Sequence, residues 1–416
     1  MKKITLLLSL LLVVSGACQQ RTKTATESET AKTSDSSAKT PNMTSGLNNE
    51  EEQLRQAKLE VLKLPEKDFV VKGKVIGGKG FVLILDRLEI GKTEPLESQT
   101  LNDEGEFKFT GKIRQADLYE LRVSSDQSKV IHFPMFPGDD LYFTFDINHP
   151  ENFQVNGSVE PIYLRDMYYT IEKTNEKIDA VEELQQNITD KAKLSRMADT
   201  LPHFYERIQK EKSANLRKFA MKVDTSFSAL MATERLDAEY PENFEFMQKR
   251  EKIFAKKYPY SPFYLDLHNK VTIFAPVSPG HILPDILLTD AKGKEYKPSQ
   301  MPGKIVLLYF WNIDCKDCND ELPMLKQLYD KYKSKGFELV QVSLDNDRGD
   351  WMNAIDEKKL PGIQVNDIGL FKSTSAQTLL VSTTPYTFLL DKEGRIISKR
   401  QTIKELQKQL IKVFGF

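Results

Sequence analysis

The chain has 416 residues, 40% hydrophobic and 29% charged, and its 59 Lys+Arg against 60 Asp+Glu leave a formal charge of −1. Near-neutrality excludes the basic surface that nucleic acid selects. The composition excludes collagen-like and wholly disordered chains, and a single long apolar run, at the extreme N-terminus, excludes a polytopic membrane protein.

Met1-Lys2-Lys3 is a positive start, Ile4 to Val14 is apolar apart from Thr5 and Ser9, and Ser15-Gly16-Ala17 are small residues before Cys18. This is the three-part layout of a secretory signal over residues 1–17. The run falls short of the roughly 20 residues of a membrane span, so an uncleaved anchor helix is the lesser alternative. Small residues followed by Cys resemble the lipobox of bacterial lipoproteins, with Ser15 departing from the usual large aliphatic. The resemblance implies cleavage before Cys18, lipid on Cys18, and a periplasm-facing lipoprotein of the bacterial cell envelope. Gln19 in place of Asp points to the outer rather than the inner membrane.

Residues 18–64 are read as a tether: Gln19 to Asn49 is rich in Thr, Ser, Lys and Glu and holds too few apolar residues to bury a core. Glu50 to Leu64 is expected to form a short helix on Leu54, Ala57, Val61 and Leu64. Residues 65–158 read as an all-β, sandwich-like domain. Apolar stretches such as Phe81–Leu85 and Leu141–Phe145 alternate with turn signals at Gly77-Gly78, Asp103-Glu104-Gly105 and Pro137-Gly138-Asp139, suggesting seven or so strands.

Residues 159–275 are charged, poor in glycine and helical in spacing. Leu216, Phe219, Ala220 and Val223 form one apolar stripe, and Phe244, Met247, Ile253 and Phe254 a weaker one. The aromatic pairs Tyr168-Tyr169 and Tyr258-Pro259-Tyr260 read as core packing. From 276 to 416 the pattern is α/β. Ile305–Trp311 is seven apolar residues in a row, as in a strand buried on both faces. A helix follows with Leu322, Leu325, Leu328, Tyr329 and Tyr332 on one face and Gly336 to end it. Phe337–Leu344 is a second strand, Asp391-Lys392-Glu393-Gly394 a hairpin turn, and Ile403, Leu406 and Leu410 mark a closing helix. The predicted fold class is therefore multidomain: an all-β sandwich-like domain, an α-helical region and a C-terminal α/β domain.

The chain has three cysteines. Two of them, Cys315 and Cys318, lie where the buried strand ends and the helix begins. Open α/β sheets react at the carboxyl ends of their strands. The first turn of a helix offers free N–H groups and positive dipole, which favour thiolate. A spacing of three on a helical turn brings the sulfurs together, with Cys315 as the exposed nucleophile and Cys318 as the buried resolving thiol. Such a pair can attack a substrate disulfide, pass through a mixed disulfide and release product. An inert structural bridge is an alternative, although closing so small a loop gains little chain entropy. Half of a zinc site is another, although no second Cys or His pair exists.

Tyr309-Phe310-Trp311-Asn312-Ile313-Asp314-Cys315-Lys316-Asp317-Cys318 resembles the thioredoxin-fold signature, and Asn319-Asp320-Glu321-Leu322-Pro323 resembles its continuation in the TlpA/ResA-like branch of exported or membrane-tethered thiol–disulfide oxidoreductases. Pro284-Asp285-Ile286, Lys292-Gly293-Lys294 and Pro302-Gly303-Lys304 fit the branch's opening, and Thr384-Pro385-Tyr386-Thr387-Phe388-Leu389-Leu390-Asp391 its closing hairpin. The resemblance spans about 281 to 416. It implies catalytic roles for Cys315, Cys318, Glu321 and Pro385: Pro385 as a cis-proline facing the dithiol, Glu321 as a proton-transfer group. Thr384 would offer open backbone to an extended substrate, with Asp314 and Trp311 completing the substrate side and Trp311 packing beneath the site. Pro323 would kink the helix.

Three departures bear on the chemistry. Asp314 stands where the family usually has Trp, Tyr309 where thioredoxins carry a buried Asp, and Lys316-Asp317 between the cysteines. Asp314 and Asp317 disfavour a thiolate on Cys315 while Lys316 and the helix dipole favour it. Where the carboxylates prevail, the Cys315 pKa stays near ordinary thiol values and the disulfide is less oxidising, which leans toward a reductase rather than an oxidant. The β-region, through Phe69–Val75, Gly105–Gly111 and Pro137-Gly138-Asp139, resembles an uncharacterised β-domain that precedes thioredoxin-like domains in lipoproteins of Bacteroidetes-type bacteria. The combined expectation is an envelope thiol–disulfide oxidoreductase without cofactor or metal, acting on protein disulfides and recharged by a membrane thiol-reductant donor. A passive thioredoxin-like module on a binding or scaffold lipoprotein is the first competing reading. A thiol peroxidase is the second, although Asn312 and Leu308 stand where peroxiredoxins need Thr and Pro.

Overall fold

A computed structural model describes residues 43–415 apart from 90–91, 189–190 and 302. The expected signal, Cys18, most of the tether and Pro302 lie outside the described residues. Two compact units partition the chain: the described residues up to Leu236 with Lys249–Asn269, and Asp237–Gln248 with Lys270–Phe416. The second unit thus includes a segment, Asp237–Gln248, from within the helical region. No helix among the described residues is long and apolar enough to cross a membrane.

In the first unit, helix α1 begins at Met43, earlier than its expected start at Glu50, and ends at Lys63. Eight strands follow: β1 (Lys67–Ile76), β2 (Val82–Glu89), β3 (Lys92–Thr100), β4 (Glu106–Ile113), β5 (Asp117–Val123), β6 (Asp126–Met135), β7 (Asp140–Asp146) and β8 (His149–Asn156). They form two four-stranded sheets, ordered β4-β1-β7-β8 and β3-β2-β5-β6. Alternate residues of β1 (Phe69, Val71, Val75), β4 (Phe107, Phe109) and β7 (Leu141, Phe143, Phe145) share one core with Leu83, Leu85, Tyr119 and Phe133 from the other sheet. That is the period-two burial expected of facing sheets. Gly105 turns with φ 74°, and a Cβ there would lie 2.1 Å from the Val75 carbonyl oxygen.

Helices α2 (Glu160–Asn187), α3 (Lys191–Lys222) and α4 (Phe227–Glu234) follow, then α5 (Pro241–Lys257) and α6 (Pro262–Phe274), each of which runs across the division between the units. The stripe Leu216, Phe219, Ala220, Val223 is buried, as are Phe244, Met247 and Phe254, but Ile253 is exposed. One turn before Val223 the spacing holds; in α5 Ile253 neighbours Phe254, which takes the buried direction. Tyr258 is buried, whereas Tyr169 is exposed and gives only its hydroxyl to the Glu151 carbonyl.

The rest of the second unit is a seven-stranded sheet built from β9 (Leu288–Asp290), β10 (Glu295–Tyr296), β11 (Ile305–Trp311), β12 (Phe337–Ser343), β13 (Ile363–Asn366), β14 (Tyr386–Leu390) and β15 (Ile396–Lys399). Its order is β10-β9-β13-β12-β11-β14-β15. Strand β11 is central, parallel to β12 and antiparallel to β14. Every residue of β11 is buried. Ile305, Leu307, Tyr309 and Trp311 point to one face with residues of α7 (Lys316–Tyr332), α8 (Arg348–Lys358) and α10 (Ile403–Phe414). Val306, Leu308 and Phe310 point to the other, with Ala376 of the short helix α9 (Thr374–Thr378) and Val277, Leu283 and Ile286 of the connector. This two-faced burial is why β11 reads as an unbroken apolar run. The sheet with helices on both faces is the α/β layer arrangement of the thioredoxin fold, and the multidomain fold class holds.

Candidate active site

The carboxyl end of β11 meets the N-terminus of α7 at Cys315, which is the N-cap of that helix. Cys315 and Cys318 form a disulfide, and Cys315 Sγ accepts the Cys318 backbone N–H at 3.0 Å. Sulfur therefore occupies the place where helix termini usually put a side-chain oxygen, in reach of an N–H that lacks an intrahelical partner. The helix's partial positive charge favours negative charge on that sulfur once the bridge opens. Cys315 is 9% exposed and Cys318 5%. The expected contrast between an exposed and a buried cysteine is thus small. The N-cap position, rather than exposure, distinguishes Cys315.

The loop before the helix is held from three sides. Cys315 N–H donates to the Asn312 carbonyl at 3.1 Å. Ile313 N–H donates to Asp345 Oδ1 at 3.0 Å, and Ser343 Oγ to Asp345 Oδ2 at 2.8 Å, so the end of β12 braces the loop. Asn319 Nδ2 donates to the carbonyls of Ile313 and Cys315, while its Oδ1 accepts from Lys358 Nζ at 2.6 Å. Beside the loop lies a cleft of about 540 Å³ lined by Asn312, Asp314, Asp345, Asp347, Asp350 and Lys358, among others. Asp314 is exposed at its edge.

The Thr384–Pro385 peptide is cis. Thr384 Oγ1 donates to Asn312 Oδ1 at 2.9 Å, which joins the loop before β14 to the loop that carries Cys315. Glu321 lies on α7 two residues before Pro323, and the helix continues through that proline. Glu321 Oε2 accepts from the Tyr309 hydroxyl at 3.0 Å and Oε1 from the Ile403 N–H at 3.4 Å. Burial pushes its carboxyl up from the ordinary range against those two donors, and Asp317 pushes the same way. Burial likewise raises the Tyr309 phenol, with Glu321 adding to it. Trp311, expected to complete the substrate side and to pack beneath the site, does the second: it is buried in the cluster that also contains both cysteines. It is the last residue of a strand covered on both faces, so it supports the dithiol from below and presents no open face. Its Nε1 makes no hydrogen bond among the described residues.

The structure therefore brings Cys315, Cys318, Asp314 and, through Asn312, Thr384 together. Sequence reasoning did not find the Tyr309–Glu321 bond, Asn312, Asn319 or Asp345. Asp345 follows the end of β12, and a carboxylate just beyond a parallel strand was a usable signal. Among the described residues no group of His, Cys, Asp and Glu could hold a metal ion.

A family model described as thioredoxin-like matches residues 303–396. The thiol-disulfide oxidoreductase ResA of Bacillus cereus is 32% identical over 137 residues, which is 32% of this chain and 78% of that protein. ResA of Bacillus subtilis is 32% identical over 124 residues, 29% of this chain and 66% of that protein. Among solved structures, the thioredoxin domain of a thiol-disulfide oxidoreductase from Bacteroides vulgatus is 31% identical, with 33% of this chain and 97% of that one covered and a TM-score of 0.31. A thiol:disulfide interchange protein from Bacteroides sp. is 32% identical, with 32% and 89% covered and a TM-score of 0.30.

Proposed function

The chain belongs to the ResA-like, thioredoxin-fold thiol–disulfide oxidoreductases, and we propose that it reduces protein disulfides in the bacterial cell envelope through Cys315 and Cys318. The observation that carries this reading is the N-cap position of Cys315, bridged to Cys318 at the carboxyl end of the central strand. In the reduced chain the Cys315 thiolate attacks one sulfur of a substrate disulfide. A mixed disulfide forms, and the departing substrate thiolate takes a proton. Cys318, its proton accepted by Glu321 directly or through water, then attacks Cys315 Sγ. The Cys315–Cys318 bond re-forms and the second substrate thiol leaves. The substrate gains two electrons and two protons, and the chain's dithiol is oxidised. No cofactor takes part, so a thiol-reductant donor in the membrane must return two electrons for each turnover.

Thr384 supplies backbone for an extended substrate segment next to Cys315, and Asp314 borders it. Residues 1–17 as an export signal and Cys18 as the lipidated residue support a periplasm-facing lipoprotein, with Gln19 favouring the outer membrane.

Two measurements on the full chain test the reading. A Cys318→Ser variant is expected to accumulate a mixed disulfide with a peptide disulfide, and Cys315→Ser to form none. Titration against dithiothreitol and glutathione is expected to place the pair near or below about −270 mV, whereas a value near about −120 mV would make the chain an oxidant. A pair that never cycles would return the function to a passive binding module.

A further inference from the structure

Glu239 lies before α5, in the Asp237–Gln248 segment that belongs to the thioredoxin-fold unit although it is more than forty residues upstream of the first strand of that sheet. Its two carboxylate oxygens go to opposite flanks of Pro385. Oε1 accepts from Ser382 Oγ at 2.7 Å, three residues before the proline. Oε2 accepts from Arg400 Nη1 at 2.5 Å. Arg400 is tied in turn to the strand after the proline, its N–H donating to the Thr387 carbonyl at 2.8 Å.

The arginine is held firmly. Its guanidinium lies 4.4 Å from the Tyr240 ring centroid, and Nη2 donates to the Tyr240 hydroxyl. Glu239 and Arg400 side chains are only 18% and 21% exposed, so solvent screens their pair weakly. Arg400 also sits at φ 49°, a left-handed conformation that an arginine rarely adopts unless surrounding contacts impose it.

We propose that Glu239 is a positioning residue for the substrate-facing loop, strapping Ser382 and Arg400 together so that the Thr384 backbone is set for an extended disulfide-bearing peptide. The loop then has two anchors: Thr384 to Asn312 on the dithiol side, and Ser382 to Glu239 on the other. The proposal rests on the reading that Thr384 takes the substrate. It predicts that the strap matters to peptides that must pair along the loop and not to small disulfides that need only Cys315.

The test compares full-length wild type, Ser382→Ala, Glu239→Ala, Glu239→Gln and the Ser382→Ala/Glu239→Ala double variant. Each is reduced with dithiothreitol and assayed with a self-quenched peptide disulfide and with hydroxyethyl disulfide. Ser382→Ala removes the hydrogen bond at an exposed position and leaves the Glu239–Arg400 pair in place, so the test survives if the Glu239 variants fold poorly. Loss of the strap is expected to raise KM for the peptide roughly five- to tenfold, with kcat within about twofold and hydroxyethyl disulfide exchange unchanged. Glu239→Gln, which keeps an acceptor for Ser382, is expected to restore most of the loss, and the double variant to be no worse than Glu239→Ala. Variants that match wild type on the peptide, or that lose both substrates equally, overturn the strap. A Cys318→Ser chain run in parallel separates the failures. If it captures the peptide while the strap variants match wild type, only the role of Glu239 falls. If it captures nothing, the substrate reading falls and takes the strap with it.

Discussion

The Tyr309 hydroxyl donates to Glu321 Oε2 at 3.0 Å, joining the central strand to the first turns of the helix that carries the dithiol. Tyr309 replaces the buried acid expected at this place in thioredoxins, and it acts on the neighbouring carboxylate instead of titrating itself. Burial raises the Glu321 pKa, while this hydrogen bond works against the rise. Tyr309→Phe deletes the opposing contribution and leaves burial, so the pKa moves higher. A carboxylate that accepts a proton works in its ionised form, so the ascending limb of the exchange rate with pH should move to higher pH. Glu321→Gln should abolish that limb. A Tyr309→Phe profile that overlays wild type would remove Glu321 from the proton path.

The same shift makes a stability prediction. With the folded pKa of Glu321 above its unfolded value, the folded chain holds a proton that the unfolded chain has released between those two values. The unfolded state then binds fewer protons, so stability falls as pH rises through the window and the loss persists above it. Glu321→Gln keeps an acceptor for Tyr309 and carries no charge. It should melt higher than wild type at neutral pH and lose the advantage in acid, while exchanging disulfides more slowly. Equal melting temperatures at pH 4 and pH 7 would refute the linkage.

Lys399 is a second buried charge with a cost. Its Nζ makes no hydrogen bond among the described residues and lies 5.4 Å from the Phe274 ring centroid. Burial pushes its pKa down to about 8, with Arg400 adding to the fall and Glu239 and Asp237 opposing it. Between pH 8 and the ordinary lysine range the unfolded chain holds a proton that the folded chain has shed, so stability rises with pH there. Lys399→Met keeps the apolar stem. It should stabilise the protein at pH 7 by at most about 3 kcal/mol, and the gain should shrink as pH approaches the unfolded lysine value. Chemical denaturation at the two pH values measures it.

Gly394 closes the turn between β14 and β15 at φ 79°, and a Cβ there would lie 2.3 Å from the Ser299 carbonyl oxygen. An alanine meets both a left-handed backbone and a clash with main chain that cannot rotate away. Gly394→Ala should destabilise by about 1–3 kcal/mol from the backbone conformation alone, and more if Ser299 cannot move. The Cys315–Cys318 potential should stay put, because the turn is at the opposite end of β14 from Pro385. A potential that moves with stability would show the turn coupled to the site.

Composition, turn residues and hydrophobic period were enough to read a β-rich segment, a helical segment and an α/β segment with the two cysteines at a strand–helix junction. These are local signals. The strand Ile305–Trp311 is apolar throughout because both of its faces are covered, and Cys315 falls at a helix N-terminus because the amphipathic stripe begins just after it. What the linear pattern does not carry is which distant residues meet. Tyr309 and Glu321 are twelve apart, Thr384 and Asn312 seventy-two, and Ser382 and Glu239 one hundred and forty-three. None of these pairs leaves a periodic trace, because a hydrogen bond needs two compatible groups and says nothing about their spacing along the chain. The sequence by itself determined the closely spaced cysteine pair and the α/β segment that presents it. Only the tertiary structure decided that Cys315 is almost as covered as Cys318, and that a carboxylate from the helical segment reaches the loop before Pro385. Burial and long-range pairing are properties of the packed sheet and its neighbours, and they exist only once the chain has closed on itself.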